Sequence, residues 1–170
     1  MKKIITLLIL TPLLTGCIKY QELNNMAIIT TIGIDKKENV YYVTLKETIP
    51  RKEENKVSSD YKYYQGNGKS IEEALENASD NSSKDIYLKQ VQNIMVTDPK
   101  YLENIPAFLK NSIVLFRVKK LDKVLKTNSN YKYLNNLAKD KTTTLKDIRK
   151  KHKKKIPSIK VYKNELLIKD

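Results

Sequence analysis

Residues 66–96, GNGKSIEEALENASDNSSKDIYLKQVQNIMV, decide the fold. Ser70 and Glu73 stand at capping-box spacing, so hydroxyl and carboxylate can each satisfy a backbone N–H that the first helical turn leaves without a partner. Ile71, Ala74, Leu75 and Ala78 then recur at i, i+3, i+4 and i+7, which is one apolar stripe on a helix. The stripe gives out in the polar run Ser79–Ser83. Behind it, Ile86 to Thr97 reads as a strand region, most apolar at Ile94-Met95-Val96, the expected central strand. Gly66-Asn67-Gly68, ahead of the helix, reads as a turn.

Upstream, Ala27 to Ile34 (AIITTIGI) is rich in β-branched residues and predicts a buried strand. Asp35 to Asn39 reads as a charged turn. Tyr41 to Ile49 then alternates, with Tyr41, Val43, Leu45 and Ile49 on one face and Tyr42, Thr44, Lys46 and Thr48 on the other. Glu47 is the exception, a carboxylate on the apolar face. The pair makes a β-hairpin with one face on a core. Pro50 to Asp60 (PRKEENKVSSD) lacks periodicity and reads as an exposed loop, with a short strand at Tyr61–Gln65 after it.

Downstream, Asp98-Pro99 is an N-cap with proline at the first helical position. Tyr101, Leu102, Ile105, Phe108 and Leu109 keep a helical period that Pro106 should break or kink. Ile113 to Val118 predicts a third strong strand. Leu121, Val124 and Leu125 mark a short helix, and Tyr131, Leu134 and Leu137 another. Thr144, with Asp147 three residues on, caps a helix to His152 that merges into the basic run Arg149–Lys155. Ile156-Pro157 stops it, and Ile159–Tyr162 with Leu166–Ile168 form a terminal hairpin. No internal repeat is present. The expected class is α+β (mixed α/β): one domain, a central mixed sheet with flanking helices.

The N-terminus carries its own signal. Lys2 and Lys3 precede an apolar run from Ile4 to Leu14, followed by the small pair Thr15-Gly16 and then Cys17. This is a charged n-region, an apolar h-region and a small-residue cleavage site. The run is half the length of a spanning helix and contains Pro12. Cys17, the only cysteine in the chain, makes the site resemble a bacterial lipobox, whose thiol takes a diacylglycerol and, in some cases, an N-acyl chain such as palmitate on the new terminus. Residues 1–16 are thus expected to be a lipoprotein signal peptide and 17–26 a lipidated tether, leaving the protein on the outer face of a membrane. The rest of the chain is long enough for one domain with a core.

Thirty-three Lys and Arg against 19 Asp and Glu give a net charge of +14, which points to an anionic surface or nucleic acid. Outside the cytosol the phospholipid surface is the better partner, and nucleic acid is not expected. For the run Arg149–Lys155 a solvated helix end is the default, contact with anionic headgroups comes next, and nucleic acid last, since no aromatic residue interleaves the lysines. Catalytic chemistry has little to work with. His152 is the only histidine and sits in that run, and no free thiol or second histidine exists for a metal site or a nucleophile–base pair. Gly66-Asn67-Gly68-Lys69-Ser70 lacks the leading glycine of a phosphate loop, Tyr63 standing in its place. No catalytic, metal or cofactor residues are assigned, and the eleven tyrosines are read as core edges.

Two stretches resemble the spore germination lipoproteins of the Ger(x)C or GerAC type. One is Gly16-Cys17 with Glu22-Leu23-Asn24-Asn25-Met26-Ala27, running into Thr31-Ile32-Gly33-Ile34-Asp35. The other is Gly68-Lys69-Ser70-Ile71-Glu72-Glu73-Ala74-Leu75 followed by Ile86–Val96. Thr144-Leu145 and Ile156-Pro157-Ser158-Ile159 are similar to the end of the family's first domain. Ile18-Lys19 stand where the family usually has Trp-Asp. The resemblance implies a non-enzymatic subunit of a nutrient germinant receptor in a Gram-positive spore former. Such a subunit works beside polytopic membrane subunits in the spore inner membrane. It also implies that residues 27–158 are the family's N-terminal domain, with 159–170 a hairpin at the start of a second domain that is missing here. The alternatives are a solute-binding lipoprotein feeding a transporter and a truncated remnant.

Overall fold

The computed structural model describes residues 25–53, 56–127, 134, 142–152, 155–163 and 165–169. Strand β1 (Met26–Lys37) has partners on both edges. It pairs antiparallel with β2 (Val40–Glu53), and parallel with β4 (Asp85–Tyr87) and β5 (Asn93–Val96). Strand β3 (Lys56–Gly68) lies outside β2. On the other side come β6 (Val114–Val118), β8 (Ser158–Tyr162) and β9 (Glu165–Lys169), giving the order β3-β2-β1-β5-β6-β8-β9 in a nine-stranded sheet. The two-residue β7 (Thr143–Thr144) adds to β6. Helices α1 (Ile71–Asp80), α2 (Leu121–Lys126) and α3 (Leu145–Arg149) flank this mixed sheet. The α+β class and the single central sheet are as expected.

A bulge organises the core. Ile29 faces Glu47 while Thr31 faces Lys46, so Thr30 is an extra residue, its hydroxyl 2.8 Å from that of Thr48. Because strand side chains alternate, one inserted residue reverses the phase. Ala27 and Ile29 therefore share a face with Ile32 and Ile34, all four fully buried. Each such isoleucine contributes roughly 1.5–3 kcal/mol by burial, more than the ~1 kcal/mol of a lost ladder bond. On this face lie the α1 stripe (Ile71, Ala74, Leu75, Ala78), Leu102, Leu109 and Leu145. The opposite face packs Met95, Phe116, Leu121, Leu125, Ile159 and Leu166. Parallel strands need cover on both faces, and here they have it.

Several segments differ from the sequence reading. The glycines of Gly66-Asn67-Gly68 are the end of β3, with Gly68 opposite Tyr41 and Gly66 opposite Val43, because α1 runs against the strand too closely for a Cβ. Of the loop expected at Pro50–Asp60, Pro50–Glu53 and Lys56–Asp60 continue the paired strands β2 and β3, with Pro50 opposite Ser59 and Glu53 opposite Lys56, while residues 54–55 lie outside the described residues. These paired ends project past the last β1–β2 pair as a two-stranded ribbon, held by backbone pairing and the Arg51–Asp60 ion pair, hence without apolar alternation. The turn expected at Asp35–Asn39 shrinks to Glu38-Asn39, Glu38 taking φ 54°, because Lys37 still pairs with Val40. Ile86–Thr97 is interrupted by a 3-10 turn at Leu88–Gln90.

Asp98 caps as expected, accepting from the Lys100 N–H at 3.0 Å, but the helix is a 3-10 helix ending at Asn104, which leaves Phe108 59% exposed. Of the helix expected around Tyr131, Leu134 and Leu137, only Leu134 is described, and it is buried. The terminal hairpin forms as β8 and β9 and is hydrogen-bonded into the same sheet, with Val118 opposite Ile159.

Helix α3 is capped as expected, the Thr144 N–H donating to Asp147 Oδ2 at 2.9 Å. It stops at Arg149, short of His152, and the positive φ of Lys151 carries the chain away. Arg149 is not a free charge of the basic run. Its guanidinium donates to the carbonyls of Pro106, Ala107 and Leu109 and to Asn111 Oδ1, at 2.7–3.2 Å. Hydrogen bonds from a charged donor are the stronger kind. Arg149→Ala is expected to cost about 2 kcal/mol in urea unfolding, with an unchanged slope. A loss under 0.5 kcal/mol would mean the clamp is ornamental.

Candidate functional site

Strands β1, β5 and β6 run parallel, and the chain leaves their C-terminal ends in opposite directions. After β5 it turns at Asp98 toward the face of the α1 core, whereas Lys119-Lys120 carry it to α2 on the other face. Such a divergence opens a crevice at the strand ends. Here it is a cleft of about 620 Å³. Asp35 and Thr97 line it from the strand ends, Tyr42, Thr44, Gln65 and Asn67 from the hairpin, and Lys119 to Lys123 from the start of α2.

Of Gly33-Ile34-Asp35, three residues of the resemblance, Asp35 alone lines the cleft. A Cβ on Gly33 would lie 2.7 Å from Leu125 Cδ1, so glycine seats α2 on the sheet. Ile34 is buried in the α1 core. Asp35 accepts from the Thr97 hydroxyl at 2.5 Å and the Lys36 N–H at 2.8 Å, joining the ends of β1 and β5.

Lys37, Lys119, Lys120 and Lys123 line the cleft, with Asp35 and Asp122 as the carboxylates. Among the described residues none of these four lysines is in an ion pair. The Lys37 ammonium stands 5.6 Å from the ring centre of Tyr42, which is 41% exposed. A smaller recess of about 240 Å³ shares Lys119, Lys120 and Lys123 and is completed by Ile159, Lys160 and Val161. Sequence reasoning did not single out these lysines; the adjacent pair Lys119-Lys120 was the only local sign.

Beyond the cleft, β2 buries two opposite charges on its two faces. Glu47, 2% exposed, accepts from the Tyr64 hydroxyl at 2.6 Å and lies 3.4 Å from Lys84 Nζ. Burial, and then the Glu47 bond, push the Tyr64 phenol up. Lys46 donates to the Leu125 carbonyl at 2.9 Å, and its ammonium is 4.0 Å from the Tyr61 ring centre. Burial lowers its pKa from 10.5 to about 8. Asn93, fully buried on β5 beside Thr31, has no partner for either amide atom among the described residues.

Cys17 lies outside the described residues. His152 is exposed, its Nδ1 3.5 Å from Asp147 Oδ1. Among the described residues no group of three or more His, Cys, Asp or Glu could hold a metal ion, and no helix is long and apolar enough to cross a membrane. The lining of the cleft offers ammonium charge and hydrogen-bonding side chains. The family model of the spore germination protein N-terminal domain matches residues 19–149. The chain belongs to the GerAC-type spore germination family. No curated protein and no solved structure matches it. The matched GerAC region takes in β1 through α3, and with it every residue of the cleft. A role in spore germination follows.

Proposed function

We propose that this GerAC chain is the lipid-anchored, non-catalytic subunit of a spore nutrient germinant receptor, acting beside polytopic membrane subunits. The family match carries the reading. The lipobox supplies the anchor: a diacylglycerol on Cys17, with or without an N-acyl chain, would hold the protein on the outer face of the spore inner membrane. Strand β1 begins at Met26, nine residues on, a tether that reaches at most about 30 Å. That keeps the domain within touching distance of membrane-embedded partners. A solute-binding lipoprotein would need two lobes about a cleft, whereas the described residues form a single sheet.

Tagged protein recovered from detergent-solubilised spore membranes is expected to bring two polytopic proteins with it, and Cys17→Ala to lose most of both. Membrane-bound wild type that recovers neither would overturn the reading in favour of a remnant or another system.

A further inference from the structure

We propose that the cleft at the ends of β1, β5 and β6 binds a phosphate-bearing anion, held by Lys37, Lys119, Lys120 and Lys123. Four ammonium groups face two carboxylates there, an excess of two positive charges with no ion-pair partner among the described residues. One of the two carboxylates, Asp35, is already engaged by Thr97 and the Lys36 N–H. A phosphate monoester carries roughly −1.5 to −2 at neutral pH and balances that excess, whereas a single carboxylate would leave half of it. The lining holds lysines and no arginine. Lysine serves phosphate as a point charge, without the planar fork by which arginine pairs with carboxylate and phosphate alike. The volume, about 620 Å³, lies in the range of small-molecule sites. The exposed Tyr42 ring offers a face for a sugar or base, beside the polar side chains of the hairpin.

A phosphate could come from a free small molecule or from a lipid headgroup, and the geometry favours the free molecule. The cleft lies at the Lys37 end of β1, about 36 Å from Met26 at ~3.3 Å per residue. With the Thr30 bulge allowed for, that distance is about the tether's full extended reach, so a domain anchored at Cys17, as proposed above, would turn this end onto its own bilayer only with the tether drawn out straight.

The test titrates the full-length chain in nonionic detergent with pyrophosphate, followed by calorimetry. Saturable binding is expected, weakened tenfold or more by K120Q/K123Q and less than twofold by K146Q/K150Q, which removes the same charge from α3 and its cap. No saturable binding, or equal weakening by both pairs, would overturn the site. A parallel titration uses micelles doped with phosphatidylglycerol. Lysine-dependent binding to these alone would overturn the free-anion source and assign the phosphate to a headgroup. None of these outcomes depends on Cys17 or on membrane partners, so the site and the receptor reading can fail separately.

Discussion

Gly66→Ala is expected to destabilise the protein by about 3–5 kcal/mol, although it adds one methyl group. A Cβ built on Gly66 lies 2.1 Å from the Ala78 nitrogen, 2.4 Å from the Ala74 carbonyl oxygen and 2.7 Å from the Ala78 Cα. All three are backbone atoms of α1, so no rotamer change relieves the clash. The helix must lift off β3. Overpacking alone costs about 1–3 kcal/mol, and lifting also strains the stripe of Ile71, Ala74, Leu75 and Ala78. It stretches two bonds that tie α1 to the strand edge, from Asn77 Nδ2 to the Asn67 carbonyl and from Asn81 Nδ2 to the Gln65 carbonyl, both 2.7 Å. Against a typical total of about 5–15 kcal/mol, such a loss is severe. Gly33→Ala is the internal comparison. There the nearest atoms, at 2.7–3.2 Å, are the ends of leucine side chains, which can shift. Urea unfolding of both variants should show Gly66 costing at least twice as much. Equal, small losses would mean that α1 does not lie on β3 as described.

Those glycines show why part of the fold was legible in sequence and part was not. Helix α1 was readable because its cap and stripe are local, and β6 and α2 were readable for the same reason. A missing Cβ serves a turn and a close helix approach equally, and only the partner element distinguishes them. The bulge at Thr30 was hidden because every neighbour from Ala27 to Ile34 is apolar, β-branched or small, and the only polar residues, Thr30 and Thr31, are β-branched and fit either face of a strand. The ribbon of Pro50–Glu53 and Lys56–Asp60 is held by backbone pairing and one exposed ion pair, which leaves no hydrophobic trace. The cleft depends on the parallel order of β1, β5 and β6, which brings Lys37 to lysines more than eighty positions away. Glu47 was visible as an anomaly on the apolar face; its partners Tyr64 and Lys84 were not, since each arrives on a different element.

Stability is expected to rise by about 2–3 kcal/mol as pH goes from about 8 to 10, because of Lys46. Its side chain is buried, 4% exposed, and desolvation lowers the ammonium from 10.5 to about 8. In the unfolded chain the same group titrates near 10.5. Between these values the unfolded state binds more protons, so stability increases with pH. Below about 8 both states are charged and the full penalty, about 3 kcal/mol for the shift, is present. Tyr61, Tyr63 and Tyr64 act at the other end. Burial raises each of them, so above about 10 the unfolded chain ionises first and stability falls again.

Lys46→Met should abolish the rise between pH 8 and 10 and leave the protein at pH 7 as stable as the wild type or about 1–3 kcal/mol more so. Urea unfolding at four pH values decides it. A loss above 2 kcal/mol at pH 7 would show that the ammonium's bonds to the Leu125 and Thr127 carbonyls and its contact with Tyr61 outweigh desolvation. Those two carbonyls belong to the end of α2, at whose start stand three of the cleft lysines, Lys119, Lys120 and Lys123. A stabilised variant whose pyrophosphate affinity nevertheless drops would mean that the buried ammonium is kept for where it holds α2, at a cost in stability.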